Sequence, residues 1–218
     1  MIKGIVFDLD GTLLYTLEDI TDSINYILKK YGFPQRDINE VRLKVGSGSK
    51  RLVKDCIEKQ LTEDELEKIT SDYIKWYGDH CDIKTKPYEG ILEVLKALKY
   101  NNIKVAVNSN KPDKISKELM KKHFPGIVFD EIIGSRIGIP NKPDPYSTNE
   151  IIYKLNLKKE ETLYIGDSEN DGLTAKNSGI EFIGCLWGFR DYETLKNYKA
   201  NYIVSQPEEI IRIVSRRL

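Results

Sequence analysis

Histidine is nearly absent from this 218-residue chain: His80 and His123 are the only two. A histidine-rich metal site is excluded, and so is a histidine-based triad unless one of these two serves in it. The three cysteines, Cys56, Cys81 and Cys185, are odd in number and show no disulfide or zinc spacing. Net charge is missing too, since 34 basic residues meet 34 acidic ones. Nucleic-acid affinity rests on net basic surface, so that class is set aside, although a local basic pocket remains open. No apolar run approaches the roughly 20 residues of a membrane span. The first run, Ile5-Val6-Phe7, stops at Asp8 and is too short for a signal peptide. Repeats and low-complexity segments are also lacking. These absences point to a reduced, cytoplasmic protein with no membrane or nucleic-acid partner.

What is present is ordinary for a globular protein: 40% hydrophobic and 31% charged residues. Residues 3–7 form a β-branched run without alternation, which reads as a strand covered on both faces. Similar runs recur at Ile103–Val107, Glu131–Ile133, Thr162–Ile165, Glu181–Ile183 and, weakly, Tyr202–Val204. Helical spacing separates most of them: Ile91, Leu92, Leu95 and Leu98; then Ile115, Leu119 and Met120; then Ile151, Ile152 and Leu155. Strands alternating with helices predict an α/β fold, a Rossmann-like parallel sheet with helices on both faces.

One stretch breaks the alternation. Leu17, Ile20, Ile24, Ile27, Leu28 and Tyr31 mark a first helix, with Thr16 at its N-cap and Asp19 three residues on. Leu52, Val53, Cys56 and Ile57 mark a second, and Leu66, Ile69, Tyr73 and Trp76 a third. So many helical residues between consecutive strands exceed one crossover. They predict an inserted helical domain over 15–85, with the α/β core in 1–14 and 86–218.

In open parallel sheets the ligand site lies at the carboxyl ends of the strands. Here those ends carry Asp8-Leu9-Asp10-Gly11-Thr12, Asn108-Ser109-Asn110-Lys111 and Gly166-Asp167-Ser168-Glu169-Asn170-Asp171, with Asn141-Lys142-Pro143 before the third. Crowded carboxylates repel one another unless a cation joins them. Oxygen donors without His or Cys suit Mg²⁺. A carboxylate can act as a nucleophile and form an aspartyl-phosphate, while a second serves as general acid and base. A hydroxyl and a lysine complete the cradle that a transferring phosphoryl group needs. Asp167-x-Glu169-x-Asp171-Gly172 also mimics the start of a calcium loop, but its twelfth position is Ser178 instead of Glu.

These four segments, in this order, resemble the motifs of the haloacid dehalogenase superfamily, and closely those of its phosphoglycolate phosphatase-like members with a helical cap. The resemblance covers nearly the whole chain and places the insertion where that subfamily carries its cap. It implies Asp8 as nucleophile and Mg²⁺ ligand. Asp10 becomes the acid/base, giving its backbone carbonyl to the metal. Thr12 and Ser109 would bond the phosphoryl group or orient the aspartates. Lys142 would neutralise charge beside Asp8, Asp167 would ligate Mg²⁺, and Asp171 would support the metal or the lysine. Asn110 and Lys111, in Ser109-Asn110-Lys111-Pro112, fall at the substrate. In Gly46-Ser47-Gly48-Ser49-Lys50-Arg51 the resemblance places a specificity loop, where Gly48 lets backbone approach the site and Lys50 or Arg51 meets a substrate carboxylate.

The implied activity is Mg²⁺-dependent hydrolysis of small anionic phosphate monoesters, phosphoglycolate first, by a monomer or homodimer. A phosphatase for pyrophosphate, a nucleotide or a sugar phosphate shares every catalytic residue. A dehalogenase or a phosphonate hydrolase is disfavoured by Asp10 and Asp167, and a non-catalytic binding relative by the full motif set. The chain departs from the pattern at Tyr15-Thr16, where an Asp-Ser pair is usual; Thr16 keeps a capping hydroxyl and Tyr15 loses a carboxylate. Tyr73, Trp76 and Tyr77 read as core of the helical insertion, and the two histidines as structural.

Overall fold

The computed structural model describes residues 1–217. The chain enters through β1 (Gly4–Phe7) and a short β2 (Leu14–Tyr15). Four helices follow: α1 (Leu17–Lys30), α2 (Ile38–Lys44), α3 (Ser49–Ile57) and α4 (Glu63–His80). β3 (Lys86–Pro87) then returns antiparallel to β2. The remaining chain alternates: α5 (Ile91–Tyr100), β4 (Lys104–Pro112), α6 (Asp113–His123), β5 (Glu131–Ser135) and α7 (Tyr146–Lys154), then β6 (Thr162–Gly166), α8 (Glu169–Ser178), β7 (Glu181–Cys185), α9 (Tyr192–Asn197), β8 (Tyr202–Val204) and α10 (Glu208–Ser215).

Six strands form one parallel sheet in the order β5-β4-β1-β6-β7-β8. Ile5 and Phe7 pack into one core cluster and Val6 into the other, so both faces of β1 are buried. That is why the run carries no polar alternation. The chain leaves β1 towards β4 and β5 on one side, then returns to β6, β7 and β8 on the other. Such a reversal opens a crevice at the strands' carboxyl ends. Register lines up its walls: Phe7 stands opposite both Val107 and Ile165, so Asp8, Asn108 and Gly166 follow at one level.

The insertion is built from amphipathic helices, and several of its ends escape apolar periodicity. Helix α2 was not marked by the sequence, because Val41 is its single buried residue. Its start is set by a capping box between Asp37 and Glu40. The third helix is longer than its apolar positions suggested, because Thr62 and Glu65 form another capping box ahead of them. The β2–β3 ladder is only two residues long, too short to read from pattern.

Thr16 sits at the N-cap of α1 but makes no capping hydrogen bond. Its hydroxyl donates to Asp10 Oδ1 at 2.7 Å instead. Asp19 also leaves the expected role. Its carboxylate accepts from the backbone N–H groups of Ile83, Lys84 and Thr85, tying α1 to the returning chain beside β3. Tyr15 packs edge-on against Tyr88, with ring centroids 6.0 Å apart.

All three cysteines are buried and free. Burial pushes the Cys56 thiol up to about 11 and raises Cys81 and Cys185 as well. The thiolate is the reactive form. A thiol reagent at pH 8 is therefore expected to label none of the three in the native protein and all three after denaturation. Rapid labelling of the native protein would show the core to be open. His123 pairs with Asp82 at 2.6 Å and His80 stacks on Trp76, and neither lines the cavity described below. Among the described residues, no helix is long and apolar enough to cross a membrane.

Candidate active site

The carboxyl ends of β1, β4 and β6 converge on one cavity of about 50 Å³. Asp8, Asp10, Ser109, Asn110, Lys111, Lys142 and Asp167 line it from the sheet side, and Val45, Gly46, Gly48, Tyr73 and Tyr77 from the insertion. At its floor the Lys142 ammonium lies 2.6 Å from Asp8 Oδ1 and 2.7 Å from Asp171 Oδ1. All three side chains are at least nine-tenths buried.

Each member is held by a distinct local device. Asp171 stands at the third position of α8 and completes a capping box with Ser168. Its Oδ2 accepts from the N–H groups of Asp167 and Ser168 and from the Ser168 hydroxyl, leaving Oδ1 for Lys142. Asp167 is gripped by the Thr12 hydroxyl at 3.2 Å and by the Phe189 N–H at 2.7 Å. Gly11, at φ +89°, passes so close that a Cβ there would lie 2.4 Å from Asp167 Oδ2. Only glycine adopts that backbone at that distance. Asn110 fixes the lysine segment by accepting from the Lys142 N–H and donating to the Lys142 carbonyl.

Electrostatically the floor carries more negative charge than it can balance. Carboxylate oxygens of Asp8, Asp167 and Asp171 lie within 4.8 Å of one another, with Lys142 between two of them. Burial pushes the Asp8 carboxyl well up, and Asp171, Asp167 and Asp10 add to it against the pull of Lys142. Burial and then Asp171 push Asp167 up to about 7. Burial works against the Lys142 ammonium, but Asp171 and Asp8 hold it well above the ordinary lysine range. A further cation would relieve the repulsion. The donors are all hard oxygens, and Asp8 Oδ2 accepts no hydrogen bond among the described residues, so the set fits Mg²⁺.

A second group sits above the first. Lys111 Nζ lies 2.9 Å from Asp10 Oδ1 and bonds the hydroxyl of Tyr77 on α4. The Asp10 carboxylate is thus shared by Lys111 and Thr16, apart from the cluster of the other three aspartates. Ser109 Oγ accepts from the Lys111 N–H, so its own hydrogen is free for a ligand.

Several expected positions need correction. Thr12 is fully buried and does not line the cavity; its hydroxyl donates to Asp167, the aspartate-orienting role of the two expected. Asn110 lines the cavity, and its amide bonds the Lys142 backbone and the Gly46 carbonyl. The segment expected to be a basic loop is loop only to Gly48, because α3 starts at Ser49. Its first turn carries Lys50 and Arg51 outward, where they pair with Glu63 and Asp55 respectively. Neither reaches the cavity, whereas Gly48 does. A Cβ on Gly48 would lie 2.8 Å from Asn141 Nδ2, at φ +87°. Tyr73 and Tyr77 belong to the buried core, as expected, and also form a cavity wall. Their i,i+4 spacing put them on one helix face, but nothing in the sequence said which.

A doubly covered parallel sheet with an acidic, lysine-bridged cluster at its switch point is the build of an α/β enzyme core with its site at the strands' carboxyl ends. The family model for haloacid dehalogenase-like hydrolases matches residues 5–185, and the chain belongs to that family. It is 30% identical over 190 residues to phosphoglycolate phosphatase 1 of Pseudomonas aeruginosa, covering 85% of this chain and 70% of that protein. It is 29% identical over 216 residues to the phosphoglycolate phosphatase of Aquifex aeolicus, covering 99% and 98%. The crystal structure of a predicted phosphoglycolate phosphatase from Haemophilus somnus superposes with a TM-score of 0.89 at 31% identity, covering 98% of each chain.

Proposed function

We propose that this hydrolase is a Mg²⁺-dependent phosphatase of small anionic phosphate monoesters, acting through a phospho-aspartate on Asp8, with phosphoglycolate as the first substrate to test. The observation that carries the reading is Lys142 bridging Asp8 and Asp171 at 2.6 and 2.7 Å beneath a cavity that also holds Asp10 and Ser109. Lys142 holds the Asp8 carboxylate in place, and one of its oxygens attacks phosphorus. As the new O–P bond forms, the ester P–O bond breaks, and Asp10 gives its proton to the departing alkoxide. Asp10 then takes a proton from water, whose oxygen attacks phosphorus and expels the Asp8 carboxylate. Ser109 donates to a phosphoryl oxygen throughout. Asp8 and Asp167, with the Asp10 carbonyl, would hold Mg²⁺; when bound, it supplies positive charge to the phosphoryl oxygens and to the crowded carboxylates. Asp171 keeps Lys142 in place.

In this reading residues 15–85 are a cap on the core of 1–14 and 86–218. The cavity of about 50 Å³ holds a handful of waters, each needing about 10–15 Å³. That volume suits a phosphoryl group with a short appendage rather than a nucleotide. Among the described residues its cation beyond the floor is Lys111, beside Asp10 and therefore beside the leaving group. The names of the Pseudomonas and Aquifex relatives support the same substrate. A cytoplasmic monomer or homodimer belongs to the same reading.

Phosphate release from phosphoglycolate and from a chromogenic phosphate ester, with and without Mg²⁺, tests the proposal. Lys111→Ala is expected to lower kcat/KM for phosphoglycolate by about 10- to 150-fold, the range of one charge-assisted hydrogen bond. The ester lacking a carboxylate should lose less. Equal losses would mean that Lys111 acts only through Asp10. Removing Lys50 and Arg51 together should change either rate by no more than about twofold, as for exposed ion pairs. A large selective loss there would move the carboxylate site onto α3.

A further inference from the structure

The roof of the cavity belongs to the insertion but is held by the core. Val45, Gly46 and Gly48 line the cavity from above. The Asn110 amide donates to the Gly46 carbonyl at 2.9 Å, and the Asn170 amide to the Ser47 hydroxyl at 3.0 Å. The largest tie is Arg190, in the segment after β7. Its Nη1 donates to the Arg42 carbonyl at 2.8 Å, and its Nη2 to the carbonyls of Val45 at 2.9 Å and Leu43 at 3.3 Å. These are carbonyls from the last turn of α2 and the residue that follows it. The final carbonyls of a helix have no partners within it, and the C-terminal end of its dipole attracts a cation. Here the cation comes from the opposite side of the cleft.

The guanidinium is itself anchored. Nε and Nη2 form a two-point pair with Glu169 on α8, at 2.8 and 3.1 Å. Only 8% of the Arg190 side chain is exposed. A planar fork with five donors can hold a carboxylate and several carbonyls together, which a lysine ammonium cannot match. The preceding residue, Phe189, gives its N–H to Asp167. One short segment therefore grips an acidic residue of the floor and, through the next side chain, the roof.

We propose that Arg190, anchored by Glu169, is a positioning residue that latches the 42–48 segment down over the cavity and so sets how completely the site closes. Its effect on turnover rests on the phosphatase reading; its effect on the segment's mobility does not. Losing the latch should free the loop to open locally, raising KM for a small phosphate ester more than it lowers kcat, because every side chain of the floor is kept and Phe189 still donates its N–H to Asp167.

The test compares full-length wild type with Arg190→Ala, Arg190→Lys and Glu169→Gln. In Arg190→Ala, amide hydrogen exchange across 42–48 should accelerate on the order of 10- to 100-fold, as expected for lost charge-assisted hydrogen bonds. Exchange in β1, β4 and β6 should stay at the wild-type rate. KM for a chromogenic phosphate ester should rise more than kcat falls. Arg190→Lys and Glu169→Gln should shift exchange in the same direction by less, and they keep the test available if the alanine variant does not fold. Unchanged exchange in 42–48, or acceleration spread equally over β1, would overturn the latch. A wild type that hydrolyses no phosphate ester would remove the phosphatase reading and leave the exchange result standing.

Discussion

Asp8→Asn is expected to abolish phosphate release, with kcat falling on the order of 10⁴- to 10⁶-fold, as for other enzymes that lose a covalent nucleophile. The amide keeps the shape of the carboxylate but cannot attack phosphorus. The fold should survive. Lys142 retains Asp171 as a partner at 2.7 Å, and the substitution removes one of the mutually repelling carboxylates. Thermal unfolding should therefore occur no earlier than in wild type while initial rates vanish. A variant with a tenth of wild-type activity would rule out attack by Asp8.

The second large effect concerns the cation. Chelation should remove activity and Mg²⁺ should restore it, with Ca²⁺ supporting less because it favours looser, higher coordination. A readout free of turnover is available as well. An ion that binds only the folded chain raises its stability by mass action. Mg²⁺ should raise the Tm of wild type, and Asp167→Asn should lose most of that rise. The pH dependence has a definite sign. Asp167 in the folded, metal-free chain sits at about 7, above its unfolded value of about 3.9. The folded state therefore binds more protons, and stability should fall as pH rises from about 4 to about 7. Saturating Mg²⁺ should recover that loss, because it takes over the proton's role. A metal-free wild type whose Tm falls no more than that of Asp167→Asn over this window, or a Tm indifferent to Mg²⁺ at pH 8, would contradict the assignment of these carboxylates.

Strand runs were legible because both-face burial writes them as uninterrupted apolar segments: β1, β6 and β7 stand where Ile5, Leu163 and Phe182 announced them. The acidic cluster was legible as strand-end motifs, since a parallel sheet brings those ends to one rim. Direction and reach of side chains were not. Lys50 and Arg51 looked like loop residues beside glycines, but Gly48 starts a helix whose first turn aims them at solvent. Thr16 looked like a cap, yet the part-buried carboxylate of Asp10, six residues earlier in the loop after β1, outcompeted the local backbone for its hydroxyl. Arg190 had no motif at all. Its partners are carbonyls about 145 positions earlier in the chain, contributed by a helix with a single buried residue. Contacts of that kind are set by how the insertion docks, which no local pattern encodes.

The claim at the centre of this account is that phosphate passes through Asp8, and trapping the intermediate tests it most directly. Enzyme quenched during turnover of a chromogenic phosphate ester, then reduced with borohydride and digested, reports which carboxyl group carried an acyl phosphate. The account predicts a reduced residue at position 8, Mg²⁺-dependent and absent without substrate. Reduction at another carboxyl group, or a stable phosphate on Ser109 with Asp8 unmodified, would contradict it.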